Sequence, residues 1–300
     1  MKEKIIAIAA LARNCEINLP DNLRRMEELG GYFKEAYYFV YENNSTDSTK
    51  DIIRSWNART MNSYIMVEDL VDTVKKEDVN IGKMYKGTTL ARMERMCSCR
   101  NKLLNMIKEN CNPDYIVFVD SDVLSFSVEG IIVAIQNAPE GWGGLFANCY
   151  TKYEYKGKQY NIPLYYDTYP FISKGRDPLS VTYKEFHLIR RFLLGRHLYK
   201  AVRKQKYYEC VSGFGGIGIY QYSSIKDYKY DIFVSKEMKP TGLCMCDHVF
   251  LNTQIKEAKY IAKDIEVCYE IYKKEGVRGW FFSKMPLMCN LIIYLLRYIK

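Results

Sequence analysis

Long hydrophobic runs are missing from this 300-residue chain. A helix that crosses a bilayer needs ~20 apolar residues in succession. The stretch Leu287 to Leu296, which comes after Trp280-Phe281-Phe282 and Pro286, is too short for that. Phosphate-binding glycine loops are missing too. There is no G-x-x-x-x-G-K-[ST], and no G-x-G-x-x-G opens a helix after the first apolar segment, so a P-loop kinase and a Rossmann dehydrogenase both lose their main support. Zinc-finger, RNP and basic-zipper patterns are absent, so the net charge of +9 is not read as nucleic-acid binding. The charge leaves phosphate groups or an anionic membrane surface as partners. No internal repeat or low-complexity linker divides the chain.

The composition, 48% hydrophobic and 26% charged, excludes a disordered chain. The 27 tyrosines offer stacking area with a polar tip, which suits sugar and base recognition; compositional drift explains them equally well. Ten cysteines at irregular spacing in a chain this long do not outline a disulfide framework. Met1-Lys2-Glu3-Lys4 and Ile5 to Ala12 have the outline of a signal peptide. The segment runs directly into Arg13-Asn14, however, and its pattern is that of a first buried strand. Reduced thiols and a cytoplasmic location are the expectation. The sequons at Asn43 and Asn44 then need an explanation other than a glycan.

Short apolar runs alternate with helical patterns through the first half. Ile5 to Leu11, Ala36 to Tyr41, Tyr64 to Val67 and Tyr115 to Val119 read as strands. Asn22 to Phe33, Ser48 to Asn57 and Leu90 to Glu109 read as helices, with Ser45 or Asp47 as a cap for the second. This alternation predicts an α/β fold with a mainly parallel sheet flanked by helices, and such sheets bind ligands at the carboxyl ends of their strands. Further on, Gly143 to Tyr150 reads as a strand and Asp247 to Ala258 as a helix. Thr182 to Tyr207 reads as an inserted, strongly basic helical segment. The expected organisation is a catalytic domain over residues 1–265, with the basic insertion at about 180–207. A C-terminal helical segment over 266–300 would be either docked on the core or laid on an anionic membrane surface.

Asp120-Ser121-Asp122 closes the strand Tyr115 to Val119. Two carboxylates one residue apart at a ligand-binding rim suit Mn²⁺ or Mg²⁺, which bridge carboxylates to substrate phosphates. Asp122 is the stronger candidate for the metal; Asp120 holds the same ion, a cation-bound water or the ribose. Tyr41 to Thr49 comes after the second strand. Its Asn, Ser and Asp residues fit a turn and helix cap, while Glu42 is placed to accept from ribose or base. Arg13-Asn14 makes a third polar rim. Arg92, Arg95 and Arg100 fall near one helical face, either as a solvated basic face or as diphosphate ligands. In Cys244-Met245-Cys246-Asp247-His248, C-x-C is not the usual zinc knuckle. The cluster reads instead as His248 adding a third ligand to the cation, with Asp247 as a base or as a carboxylate near the reacting carbon. A surface histidine at a helix start is the plain alternative.

Taken in order, Arg13-Asn14, Tyr41 to Thr49, Arg100-Asn101-Lys102-Leu103-Leu104, Tyr115 through Val123, Tyr166-Asp167-Thr168, Gly215-Gly216 and Cys246-Asp247-His248 resemble the GT-A glycosyltransferases. The resemblance is closest to the fungal capsular α-1,3-mannosyltransferase-like family and its bacterial and viral relatives. It implies a Rossmann-like GT-A fold, a UDP- or GDP-sugar donor, Mn²⁺ or Mg²⁺, and transfer to a saccharide or lipid-linked saccharide. It implies that Glu42 and Arg100 contact the nucleotide; Arg13, Asn14, Asn43, Asp47 and Asp120 are the further cofactor-binding candidates. Asp122 and His248 would bind metal, and Asp167 joins Asp247 as a catalytic candidate. That family often carries Glu where Asp247 stands, and the insertion around Arg190 to Lys206 has no counterpart in it. Acceptor and stereochemistry therefore stay open: the relatives retain anomeric configuration, whereas an aspartate base fits inversion. Two alternatives remain. A sugar-phosphate nucleotidyltransferase would need a glycine-rich loop that Leu11 to Pro20 lacks, and a non-catalytic glycan- or lipid-binding protein would not need Asp120, Asp122 and His248.

Overall fold

The computed structural model describes residues 1–71, 88–155, 157–239 and 242–273. Its centre is set by two nearly uninterrupted apolar segments, β1 (Ile5–Ala12) and β5 (Tyr115–Asp120). Both are buried along most of their length, as befits strands covered on two faces. They pair in parallel, and β2 (Glu35–Asn43) and β3 (Ser63–Glu68) extend the parallel set on the other side of β1. The crossovers carry α1 (Leu19–Gly30), α2 (Thr49–Asn57) and α3 (Leu90–Asn110). Helix α1 starts earlier than the periodicity predicts. Pro20 sits in its first turn, where a missing N–H costs nothing, and the chain leaves the helix before Tyr32 and Phe33.

Beyond β5 the sheet is mixed. β11 (Ile217–Gln221) pairs antiparallel with β5 and with β7 (Trp142–Tyr155). Next comes β13 (Ala258–Lys273), parallel to β7, and then β10 (Tyr207–Ser212) and β9 (Ile172–Ser173), both antiparallel. Short β6 (Ser125–Phe126) and β8 (Lys158–Asn161) pair with β13 and β7. A separate ribbon joins β4 (Thr88–Thr89) to β12 (Leu243–Cys244). The remaining helices are α4 (Val128–Gln136), α5 (Leu188–Lys204), α6 (Tyr222–Ile225) and α7 (Asp247–Gln254). The expected α/β sheet with flanking helices is present.

Three expected boundaries move. Helix α7 ends at Gln254, and Ala258 opens β13 rather than closing a helix. The expected domain limit at 265 falls inside that strand, so residues 266–273 are strand and not helix. Ile261, Ala262, Ile265, Val267 and Cys268 are buried in the core, which is why this segment belongs to the sheet. The rest of the expected C-terminal segment, 274–300, lies outside the described residues. Among those described, no helix is long and apolar enough to cross a membrane. The basic insertion is also narrower than expected: two 3₁₀ turns, Pro178–Ser180 and Tyr183–Phe186, precede α5, and Tyr207 already belongs to β10. Helix α5 is not simply solvated. Phe192, Leu198 and Val202 are buried, and the Gly195 carbonyl accepts from the Tyr165 amide at 3.0 Å.

Helix α4 lies so close to β13 that a Cβ on Gly130 would stand 1.9 Å from the Asp264 carbonyl oxygen. Backbone cannot yield as a flexible side chain does. Gly130→Val is therefore expected to destabilise the fold by about 1–3 kcal/mol, read as a lower urea midpoint at unchanged slope.

Candidate active site

Parallel register brings three strand ends to one level. Leu11 pairs with both Tyr41 and Asp120, and Ala12 pairs with Glu42. The residues just beyond these pairs form the rim of a cleft of about 480 Å³. Arg13, Asn43, Asp120 and Asp122 line it from the strand ends, and Arg92, Arg95 and Arg100 line it from α3. The expected common face of these arginines is thus the wall of the cleft. Arg95 also donates to the Val71 carbonyl at 3.2 Å.

Asn14, Asp47 and Glu42 have a different part: they fasten the rim. Asn14 is in the left-handed region at φ 49°, which asparagine tolerates. Its Oδ1 accepts the Thr46 amide at 2.8 Å, and its own amide donates to Ser45 Oγ at 3.0 Å. Asp47 accepts the amides of Thr49 at 3.0 Å and Glu16 at 3.2 Å, so it caps α2 and joins the first loop to the second. Glu42 is fully buried; its Oε1 accepts the Ser45 amide at 2.7 Å, while Oε2 has no protein partner. The sequon residue Asn44, also left-handed, exchanges hydrogen bonds with the Leu70 backbone at 2.7 and 3.2 Å. Loop geometry accounts for it without a glycan.

The acidic motif is held from α1. Asn22, buried, donates through Nδ2 to the Ser121 and Val123 carbonyls at 3.1 and 2.7 Å, and Asn18 donates to the Asp122 carbonyl at 2.8 Å. Ser121 Oγ donates to the Leu11 carbonyl at 2.6 Å. On the other side, the Asp120 amide donates to the Gly216 carbonyl at 2.9 Å, and Tyr269 donates its hydroxyl to Asp120 Oδ2 at 3.2 Å. Gly215 and Gly216 have φ of 68° and 90°, and a Cβ on Gly216 would press on Tyr269 and Val123, so glycine is needed for this close approach.

Arg100 is the hub of the charges. Its guanidinium is buried, bound through Nε to Asp247 and 3.7 Å from Asp120, with the rings of Phe214 and Tyr230 at 5.3 and 5.7 Å. Burial works against the Asp247 carboxylate, but Arg100 and His248 beside it hold its pKa well below the usual range. Asp120 behaves oppositely. Burial and the neighbouring Asp122 push its pKa up to about 8, against the pull of Arg100. Asp167 is raised to about 6, chiefly by burial, although Arg191 and the amides of Tyr169 and Gly215 favour its charged form. Of the two catalytic candidates, Asp167 thus has the higher pKa, while Asp247 is paired with Arg100.

His248 is neither a surface residue nor gathered with the two aspartates. It stacks on Phe214 at 3.7 Å and meets the edge of Tyr230 at 5.6 Å, so it shares these rings with Arg100. Arg100, paired with Asp247, stands close to both Asp120 and His248. Among the described residues, no three His, Cys, Asp or Glu side chains are arranged to hold a metal ion. The donor chemistry nevertheless fits a divalent cation. Asp120 and Asp122 offer hard oxygens, and two carboxylates with diphosphate oxygens and water suffice for Mg²⁺ or Mn²⁺. His248, pushed down to about 3 by burial and Arg100, is the neutral imidazole that binds metals, and both its ring nitrogens are buried without a partner.

Asn22, Tyr269, Arg191, Phe214 and Tyr230 escaped the sequence reading. Asn22 left a trace, a polar residue among the apolar positions Leu19, Leu23 and Met26. Tyr269 left none, because its strand read as a helix.

The sequence profile of the family described as Cryptococcal mannosyltransferase 1 matches residues 5–254. The chain belongs to that family. No curated protein sequence matches it. Among solved structures it is similar to the mannosyltransferase PcManGT from Pyrobaculum calidifontis, solved with GDP-Man and Mn²⁺, at 11% identity and a TM-score of 0.48 over 99% of this chain and 65% of that one. It is also similar to S. aureus TarS 1-349 with UDP-GlcNAc, at 16% identity and 0.42 over 92% and 59%. The chain therefore spans less than two thirds of both. The family match includes the acidic motif, the arginine helix α3 and Cys246-Asp247-His248.

Asn22→Leu leaves the buried Ser121 and Val123 carbonyls without their donor. A loss of about 1–3 kcal/mol is expected, together with weaker Mn²⁺ binding, from urea unfolding and metal titration on one preparation.

Proposed function

We propose that this chain is a metal-assisted hexosyltransferase that moves a sugar, mannose being the one its family favours, from a nucleoside-diphosphate donor to a saccharide hydroxyl. One observation carries this reading: two carboxylates and a set of guanidiniums share a single cleft at the carboxyl ends of parallel strands. A diphosphate sugar needs both, the carboxylates for its counter-ion and the arginines for its oxygens. Asp120 and Asp122 would hold Mn²⁺ or Mg²⁺, and the bound cation would neutralise the diphosphate as it departs. Arg92 and Arg95 bind phosphate oxygens, Arg13 and Asn43 close the rim, and Glu42 supports the nucleoside side of the cleft from beneath through its bond to the Ser45 amide.

In the transfer, the acceptor oxygen forms the new bond to the anomeric carbon. The bond from that carbon to the phosphate oxygen breaks, and the nucleoside diphosphate keeps the electron pair. Asp167 accepts the acceptor's proton. Asp247 fixes Arg100, and so indirectly Asp120; it is a positioning residue and not the base.

Mn²⁺ with the correct donor, tested across GDP- and UDP-sugars, is expected to stabilise the protein by about 2.7 kcal/mol at a ligand concentration of 100 times Kd, and to support slow donor hydrolysis. EDTA should remove both effects, and Asp122→Asn should show neither. A screen in which no donor acts on the wild type, with Asp122→Asn indistinguishable from it, would sink the proposal. Asp167→Asn should lower transfer kcat by about 10²–10⁴ while donor stabilisation persists. If donor binding falls in step with kcat, Asp167 only shapes the cleft.

A further inference from the structure

A second cleft, of about 280 Å³, is lined in part by residues that adjoin Asp167 and Asp247 in the chain, Thr168, Tyr169 and Met245. Thr168 and Tyr169, which line the second cleft, directly follow Asp167, whose Oδ1 accepts the Tyr169 amide at 3.3 Å. Tyr169 also donates its hydroxyl to the Cys244 carbonyl at 2.7 Å, and Met245 of the same segment forms part of the lining. A molecule seated here would lie against the segment that carries Asp167.

The chemistry of the lining is selective. Arg176, Arg190 and Arg191 contribute three guanidiniums, and Glu185 is the one carboxylate among the lining residues. Glu185 is engaged by Arg176 at 2.8 and 3.3 Å and lies 4.0 Å from Arg190, whose side chain stays 58% exposed. Arg191 is oriented by its Nε bond to Thr168 Oγ1 at 3.2 Å and by the Tyr169 ring at 5.7 Å. Glu185 and Asp167, whose charged form Arg191 favours, leave three guanidiniums facing two carboxylates, so the cleft keeps an excess of positive charge with a planar, bidentate geometry for anions. Its floor adds Phe171 and Tyr208, a tilted ring pair at 6.3 Å, against which a sugar face can stack.

We infer that this cleft is an acceptor subsite for an anionic saccharide, one bearing a phosphate or carboxylate that Arg176, Arg190 and Arg191 recognise. The basic residues at the start of α5 are then substrate ligands and not a general surface charge. The acceptor role rests on the proposed transfer reaction; the anion selectivity does not.

The test is calorimetric titration of the full chain with mannose 6-phosphate and glucuronate, against mannose and glucose. At least one anionic sugar should bind ten or more times tighter than its neutral counterpart. Arg190→Ala, at an exposed position, should weaken that binding at least tenfold. Arg203→Ala, which removes the same charge at the other end of α5, should not, and neither should Arg92→Ala in the donor cleft. Anionic and neutral sugars binding alike, or Arg190→Ala binding as the wild type does, would overturn the inference. So would loss through Arg92→Ala instead, since the anion would then sit in the donor cleft. Sedimentation with phosphatidylglycerol vesicles provides the lipid arm: capture that depends on Arg190 without any discrimination among sugars makes the arginines a membrane contact and overturns the subsite. Donor hydrolysis is measured in parallel. Its absence with sugar discrimination intact removes the transfer reaction but keeps the anion site.

Discussion

A buried guanidinium organises this molecule. Arg100 reaches from α3 into a space bounded by Asp120 at the end of β5, Asp247 at the start of α7, and the rings of Phe214 and Tyr230. A charge in that position is tolerated only while its partners surround it. Removing one side of such a pair typically costs about 3–5 kcal/mol, because the other charge is left unpaired. The β4–β12 ribbon serves the same constraint, since it ties the start of α3 to the segment leading into Asp247. The parallel half of the sheet supplies one carboxylate and the segment before β13 supplies the other, so the cation joins the two halves of the fold at the site.

Around that centre, rigidity comes from small polar side chains. Asn14, Asn18, Asn22, Asn44 and Asp47 spend their hydrogen bonds on backbone groups of neighbouring loops. Each bond is modest alone, but together they fix loops that would otherwise fray at the strand ends. The groups left facing the cleft, Arg13, Asn43, Asp120 and Asp122, stand on this support. Gly215-Gly216 lets β11 pass close enough for its backbone to accept from Asp120.

Environment divides the acidic residues into roles that their chemistry alone does not distinguish. Asp247 is ionised by its arginine, while at Asp167 burial outweighs the pull of Arg191 and raises the pKa to about 6. Burial acts on both carboxylates; the bound guanidinium of Arg100 is what sets their pKa values apart.

The strands β1, β2, β3 and β5, and with them the level of Arg13, Glu42 and Asp120, were legible in the sequence. Short buried parallel strands are written as continuous apolar runs, and the polar residues at the carboxyl end of such a run must stand at the rim. The acidic motif and the arginine face of α3 were legible for the same reason, because local periodicity fixes which side chains share a face. The sequence alone did not reveal β13, whose 16 residues read as the end of one helix and the start of another segment. Nor did it show that Asn14 and Asp47 are fasteners, that Asn22 holds the acidic loop, or that His248 lies against Phe214. Those facts depend on residues distant in the chain, brought into contact by packing and by the need to pair each buried charge and polar group. Sequence determined which chemistry stands at the strand ends; only the tertiary structure decided which of those residues face a ligand and which hold one another.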